Sequence, residues 1–223
     1  KVTLDSGRVV IGDADAVIRA GERVLIEGGT GVGKSMLVRA IAGLWPWGSG
    51  LVEIPRDARL MVLPQHAYLP SGTLKAVATY PLAPEDVPDA DVERLFRQIA
   101  PARRIADHAR EATSQAGHSD ADQPRIGFVR VLAPEPDILI VDEATSALDT
   151  ADELALFEVL RAELPRASLL TIGQHAELER VHDRKMTLAI EDGGAAHLRP
   201  DRTRATRRGE ARAVGPFLTF RPW

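Results

Sequence analysis

The stretch "EGGTGVGKSML" (residues 27–37) decides how this chain is read. It closes an apolar run, "RVLIEG" (23–28), and opens a helix-compatible one, "MLVRAIAGL" (36–44). Inside it, "GGTGVGKS" fits G-x-x-x-x-G-K-[ST], with Gly28, Gly33, Lys34 and Ser35 at the fixed positions and Gly29, Thr30, Gly31 and Val32 between them. Glycines let the backbone curl so that successive N–H groups point at phosphate oxygens, and the helix start adds the positive end of its dipole. Lys34 would then reach the terminal phosphates, and the Ser35 hydroxyl would ligate Mg²⁺. A strand before the motif and a helix after it separate such a loop from a glycine-rich turn with an incidental lysine.

A second stretch says what kind of phosphate site this is. "DILIVDEATSALD" (137–149) runs an apolar strand straight into Asp142 and Glu143. Two adjacent carboxylates at the end of a buried strand are costly unless a cation or a reactive water uses them. The alternative is a pair of acidic residues at the start of the next helix.

Around these two stretches the chain alternates between strand-like and helix-like segments. Strands are predicted at 8–12, 23–28, 50–54, 58–64, 137–142, 168–173 and 185–191, with "AGE" (20–22) as a turn. Several are continuous apolar runs, which suit strands covered on both faces. Helices are predicted at 34–43, 90–100, 124–133 and 150–163. The segment 66–123, with its proline cluster "YPLAPEDVP" (80–88) and charged helical stretches, reads as an inserted helical subdomain. The expected architecture is α/β: a parallel-sheet core, an antiparallel β region at the N-terminus, and the helical insertion.

Composition bounds the rest. At 223 residues and 44% apolar, the chain can bury one substantial core. No window of 18 consecutive apolar residues occurs and the N-terminus has no apolar signal region, so the chain as given reads as soluble. Without cysteine there is no disulfide, thiolate metal site or cysteine nucleophile. A net charge of −4 gives no indication of a nucleic-acid partner. Residues 195–223 differ, carrying seven arginines against Asp201 and Glu210, a net of +5, which leaves −9 for residues 1–194. Residues 193–223 therefore read as a basic, flexible tail after a domain of residues 1–192; a patch for anionic lipid or an acidic partner is the other reading.

The phosphate loop, "LPQ" (63–65) and "VDEATSALD" (141–149) together resemble the nucleotide-binding domain of an ATP-binding cassette (ABC) transporter, a P-loop nucleoside triphosphatase, over roughly residues 1–192. "AIAGLWPWGSG" (40–50) and "VLPQHAYLPSGTLKAVATYP" (62–81) resemble the group that includes SbmA/BacA-type importers and peroxisomal fatty-acyl transporters. The resemblance implies a soluble ATPase part that follows a transmembrane domain on the same full-length chain. Such a part works with ATP and Mg²⁺, pairs head to tail with a second ATPase domain, and sits at the cytoplasmic face of the inner membrane. It implies that Glu143 is the general base, that Gln65 senses Mg²⁺ and the attacking water, and that Asp142 holds Mg²⁺. Ser146, Ala147, Leu148 and Asp149 would form a loop crossing the dimer interface.

Two places depart from the family's pattern. Its signature, Leu-Ser-Gly-Gly-Glu followed by Gln-Gln-Arg, falls on "HSDADQPR" (118–125): Ser119, Gln123 and Arg125 match, but Asp120 and Ala121 stand where glycines are expected. The switch histidine aligns with Gln174, with His175 one residue on. Neither His66, His108, His182 nor His197 has partners at metal spacing. The N-terminal segment also lacks an aromatic residue to stack on adenine. The expected activity is transport-coupled ATP hydrolysis. One rival is a degenerate cassette that binds ATP and dimerises but turns over poorly; another, a soluble DNA-maintenance ATPase, would carry long heptad insertions that this chain lacks.

Overall fold

The computed structural model of the chain describes residues 1–99, 111–112, 122–191, 194–201 and 216–221. They form two compact units, one of residues 1–62, 137–143 and 166–223, the other of residues 63–136 and 144–165.

The first unit holds the main sheet except for Leu63, the last residue of one strand, which is counted with the second unit. The strands of that sheet are β1 (Val2–Thr3), β2 (Val9–Asp13), β4 (Arg23–Glu27), β6 (Leu60–Leu63), β9 (Ile138–Asp142), β10 (Ser168–Ile172), β11 (Arg184–Ile190) and β12 (Ala196–Pro200), in the order β1-β2-β12-β11-β4-β10-β9-β6. The pairs β11–β4, β4–β10 and β10–β9 are parallel, and all five residues of β9 and of β10 are buried. The apolar runs of the sequence are thus the double-covered centre of a parallel sheet. Helix α1 (Lys34–Ile41) supplies part of that cover through Leu37, Val38 and Ile41. It ends where Gly43 turns left-handed (φ 73°) and the Leu44 N–H reaches back to the Arg39 carbonyl at 2.7 Å.

A smaller antiparallel sheet, β3 (Ala16–Arg19), β13 (Pro216–Arg221) and β5 (Leu51–Glu53), completes this unit. Its middle strand is the last one in the chain. Leu218 pairs with Ile18 and Phe220 with Ala16, and all four side chains are buried in the same core.

The second unit is helical: α2 (Leu74–Thr79), α3 (Asp89–Ile99), α4 (Asp122–Leu132) and α5 (Thr150–Glu163), with a two-stranded ladder of β7 (Gly72–Thr73) and β8 (Glu111–Ala112). Val92, Leu95, Phe96 and Ile99 give α3 one apolar stripe at helical spacing. Phe128 of α4 meets Phe157 of α5 edge to face, ring centres 6.1 Å apart. Gly127 lets α4 approach Leu63, whose Cδ1 would lie 2.7 Å from an added Cβ. The Thr73 hydroxyl caps α2, accepting from Ala76 N at 3.2 Å, and the Asp149 carboxylate caps α5, accepting from Asp152 N at 2.8 Å. Arg125 pairs with Asp152, tying the start of α4 to α5.

The expected parallel core, antiparallel region and helical portion are all present. Two expectations need correction. The helical unit is wider than residues 66–123, because α4 and α5 belong to it. A flexible tail from residue 193 does not hold for residues 196–200 and 216–221, which are β12 in the main sheet and β13 in the small one. Among the described side chains the buried apolar ones are Ala196 and Leu198 in β12 and Leu218 and Phe220 in β13, and the surrounding arginines mask so short an alternation.

Candidate functional site: a phosphate loop facing two carboxylates

The loop at residues 28–33 joins β4 to α1 and is shaped by close approaches that only glycine allows. A Cβ at Gly28 would stand 2.5 Å from the Leu188 carbonyl oxygen. Gly33, the residue before the helix, has φ 103°, and a Cβ there would meet Val10 at 2.8 Å. Thr30 and Gly31 lie exposed at the tip, and Val32 is buried in the core beneath.

Lys34 is buried. Its Nζ donates to the carbonyls of Gly28 at 2.7 Å and Gly29 at 3.0 Å, and it lies 3.0 Å from Glu143 Oε1. Next to it, Asp142 ends β9, buried, with Oδ1 lacking any hydrogen-bond partner. Burial pushes the Asp142 carboxyl above its ordinary pKa and the charge of Glu143 adds to this, opposed by a hydrogen bond from Ser35 and by the charges of Arg39 and Lys34. Glu143 has the opposite balance. Burial disfavours its ionisation, but hydrogen bonds from Gln174 and Lys34 outweigh that and hold the carboxyl below its ordinary value. Its backbone is left-handed, φ 50°, with its N–H donating to the Ile172 carbonyl at 3.0 Å.

Gly28, Lys34, Ser35, Asp142, Glu143 and Gln174 come together in the first unit. Gln174 Nε2 donates to Glu143 Oε1 at 2.9 Å. His175 follows as the residue that starts a short 3₁₀ turn, Ala176–Arg180, its carbonyl accepting from Leu178 N at 3.1 Å. Gln65 and Asp149 belong to the second unit, where Gln65 is exposed and the Asp149 carboxylate is engaged as the cap of α5. Ser119, with Asp120, Ala121 and His108, lies outside the described residues. Of the other histidines, His182 is a core residue: Nδ1 lies 2.7 Å from the Leu178 carbonyl and Nε2 2.7 Å from Thr171 Oγ1. His66 is exposed, and His197 stands half-buried on β12.

Sequence reading did not anticipate the ion pair between Lys34 and Glu143 or the packing of Val10 and Leu188 on the loop. Each joins residues far apart in the chain, and no local pattern encodes them. A cavity of about 210 Å³ lies elsewhere, at the C-terminal end of α1 among Trp45, Trp47 and Phe220; no residue of the phosphate loop lines it.

Comparison with known proteins gives the family of the chain. The family profile described as ABC transporter matches residues 11–146, which include the loop and both carboxylates. A Haemophilus influenzae protein named "Uncharacterized ABC transporter ATP-binding protein" is 32% identical over 190 residues, covering 83% of this chain and 31% of that protein. The human "Lysosomal cobalamin transporter ABCD4" is 30% identical over 203 residues, covering 85% and 33%. A solved bacterial Atm1-family ABC exporter with ATP bound has the same fold, with a TM-score of 0.63 over 80% of this chain and 33% of that one, at 24% identity. The chain spans about a third of the length of these relatives. With the family profile matched over more than half of the chain, across the glycine loop and both carboxylates, the chain belongs to the ABC transporter family.

Proposed function

We propose that this chain binds Mg-ATP at the phosphate loop and hydrolyses it to drive a membrane transporter. One observation carries the reading: a buried lysine on a glycine loop at a helix N-terminus, beside a strand that ends in two carboxylates. The residues fit a magnesium ion. The orphaned Asp142 Oδ1 is a buried acceptor in want of a cation, and the Ser35 hydroxyl is bonded to the same carboxylate. Mg²⁺ keeps waters and takes substrate phosphate oxygens, so it needs few protein ligands. Ser35 and Asp142 would hold it; bound there, it would neutralise phosphate charge.

The chain's own groups do the rest. Backbone N–H groups of Gly29 to Gly33 and the Lys34 ammonium bind phosphate oxygens. Glu143 accepts the proton of the attacking water, and Gln174 orients Glu143. Glu143→Gln keeps size and polarity but removes basicity. The expected result is retained ATP binding with phosphate release slowed roughly 10² to 10⁴-fold; wild-type turnover in that variant would contradict the assignment.

The proposed partners are a transmembrane domain on the same full-length chain and a second ATPase domain, met head to tail at the cytoplasmic face of a membrane. Ser119 would face the partner's nucleotide, and Asp149 would steady the interface loop through its cap on α5. No helix among the described residues is long and apolar enough to cross a membrane. The ATPase domain would extend through β13.

The sequence of the signature segment favours a second reading, a cassette of feeble turnover. Asp120 would place a carboxylate near a partner's phosphates; at about 4 Å two unit charges repel by roughly 4 kcal/mol at an effective dielectric near 20. Replacing Asp120 and Ala121 together by glycine should then raise both turnover and self-association. No gain in either would discard this reading.

A further inference from the structure

An ammonium has three N–H bonds, and all three of Lys34 are engaged inside the protein, by the Gly28 carbonyl, the Gly29 carbonyl and the Glu143 carboxylate. A phosphate entering the loop therefore finds no free donor on its principal cation. Two of the three acceptors are carbonyls of the loop itself and cannot leave without remaking it. The third is the end of a side chain. Glu143 is the more open partner, its side chain 19% exposed against 6% for Lys34, so it can swing outward into water while Lys34 stays in place.

The backbone of Glu143 supports the same conclusion. A non-glycine residue at φ 50° is strained, and here the Ile172 carbonyl on one side and Lys34 and Gln174 on the other hold it. Losing Lys34 leaves the carboxylate with Gln174 alone.

We propose that the Lys34–Glu143 ion pair is a resting latch: the phosphate-binding lysine holds the carboxylate that serves as base until a phosphate displaces it. Loading the loop and freeing Glu143 to face water are then one event. Until that event, Glu143 acts as an internal anion that competes with phosphate for Lys34. The latch rests on the phosphate-loop reading and adds to it a regulation of the same site.

The test uses inorganic pyrophosphate without divalent cations, titrated calorimetrically into the unaltered chain, Glu143→Gln and Glu143→Asp. Aspartate keeps the charge but withdraws it from Lys34 by one methylene. A latch predicts that both variants bind pyrophosphate more tightly than the parent, by about ten-fold, the order of one charge-assisted hydrogen bond. Tightening in the glutamine variant alone would mean simple charge repulsion, and no tightening in either would mean no competition; both results overturn the latch and leave the phosphate-loop reading standing. The unaltered chain gives a check independent of how the variants fold. On adding pyrophosphate, the nitrogen resonances of both the Lys34 ammonium and the Gln174 side-chain amide should move, the second because its acceptor Glu143 has moved. A Gln174 signal that stays put while that of Lys34 shifts also overturns the latch. Failure of the unaltered chain to bind pyrophosphate or ATP at all would overturn the phosphate-loop reading, and the latch with it.

Discussion

His182 shows how one residue away from the site ties stability to pH. Burial pushes its imidazole pKa down to about 4, against the pull of the Leu178 carbonyl and Asp183, so the folded chain keeps it neutral. The unfolded chain takes up a proton near the ordinary value of about 6.5. The folded pKa is the lower of the two, so the full contribution of His182 is present above pH 6.5 and is lost as pH falls toward 4. By linkage the loss reaches about 2 kcal/mol at pH 5 and roughly 3 kcal/mol near pH 4. Urea unfolding at pH 7.5 and pH 5 should show this fall, and His182→Gln, though weaker at pH 7.5, should show about 2 kcal/mol less of it. An equal fall in both proteins would assign the effect to carboxylates instead. At the same scale, the gathering of Gly28, Gly33, Lys34, Asp142 and Glu143 at one candidate site was legible in sequence, because a phosphate site would demand those residue types at that spacing. That Lys34 and Glu143 grip each other was not legible, since only the parallel pairing of β4, β10 and β9 brings β9's end to the loop.

Among elements, β13 carries the clearest consequence. Its neighbours β3 and β5 have no ladder with each other, so without it both keep an open edge and the core loses Leu218 and Phe220. Leu218→Ala, at a fully buried position, should cost about 2 to 5 kcal/mol. Truncation after Asp201 should cost more, read as a lower melting temperature; an unchanged one would mean β13 contributes nothing to the sheet. Long apolar elements such as β4, β9 and β10 declared themselves because every residue in them is constrained. Short ones did not: β3 and β12 bury two apolar side chains apiece, β13 is six residues long, and α2 is also only six, its start marked by the single cap Thr73. Their form is fixed by tertiary pairing rather than by local pattern.

For the whole molecule, the family was readable because two distant motifs, each chemically demanding, occur in one order in one α/β chain. The surface that would meet a membrane domain was not readable, since docking places no fixed spacing on the residues involved. The central claim is that this chain binds ATP through the loop at residues 28–35. Its most direct test is calorimetric titration of Mg-ATP into the unaltered chain and into Lys34→Met, which keeps the buried stem and removes the charge. The account predicts saturable one-site binding by the unaltered chain and a loss of roughly 2 to 5 kcal/mol in the variant. Equal affinity in the two folded proteins, or no binding by the unaltered one, would contradict it.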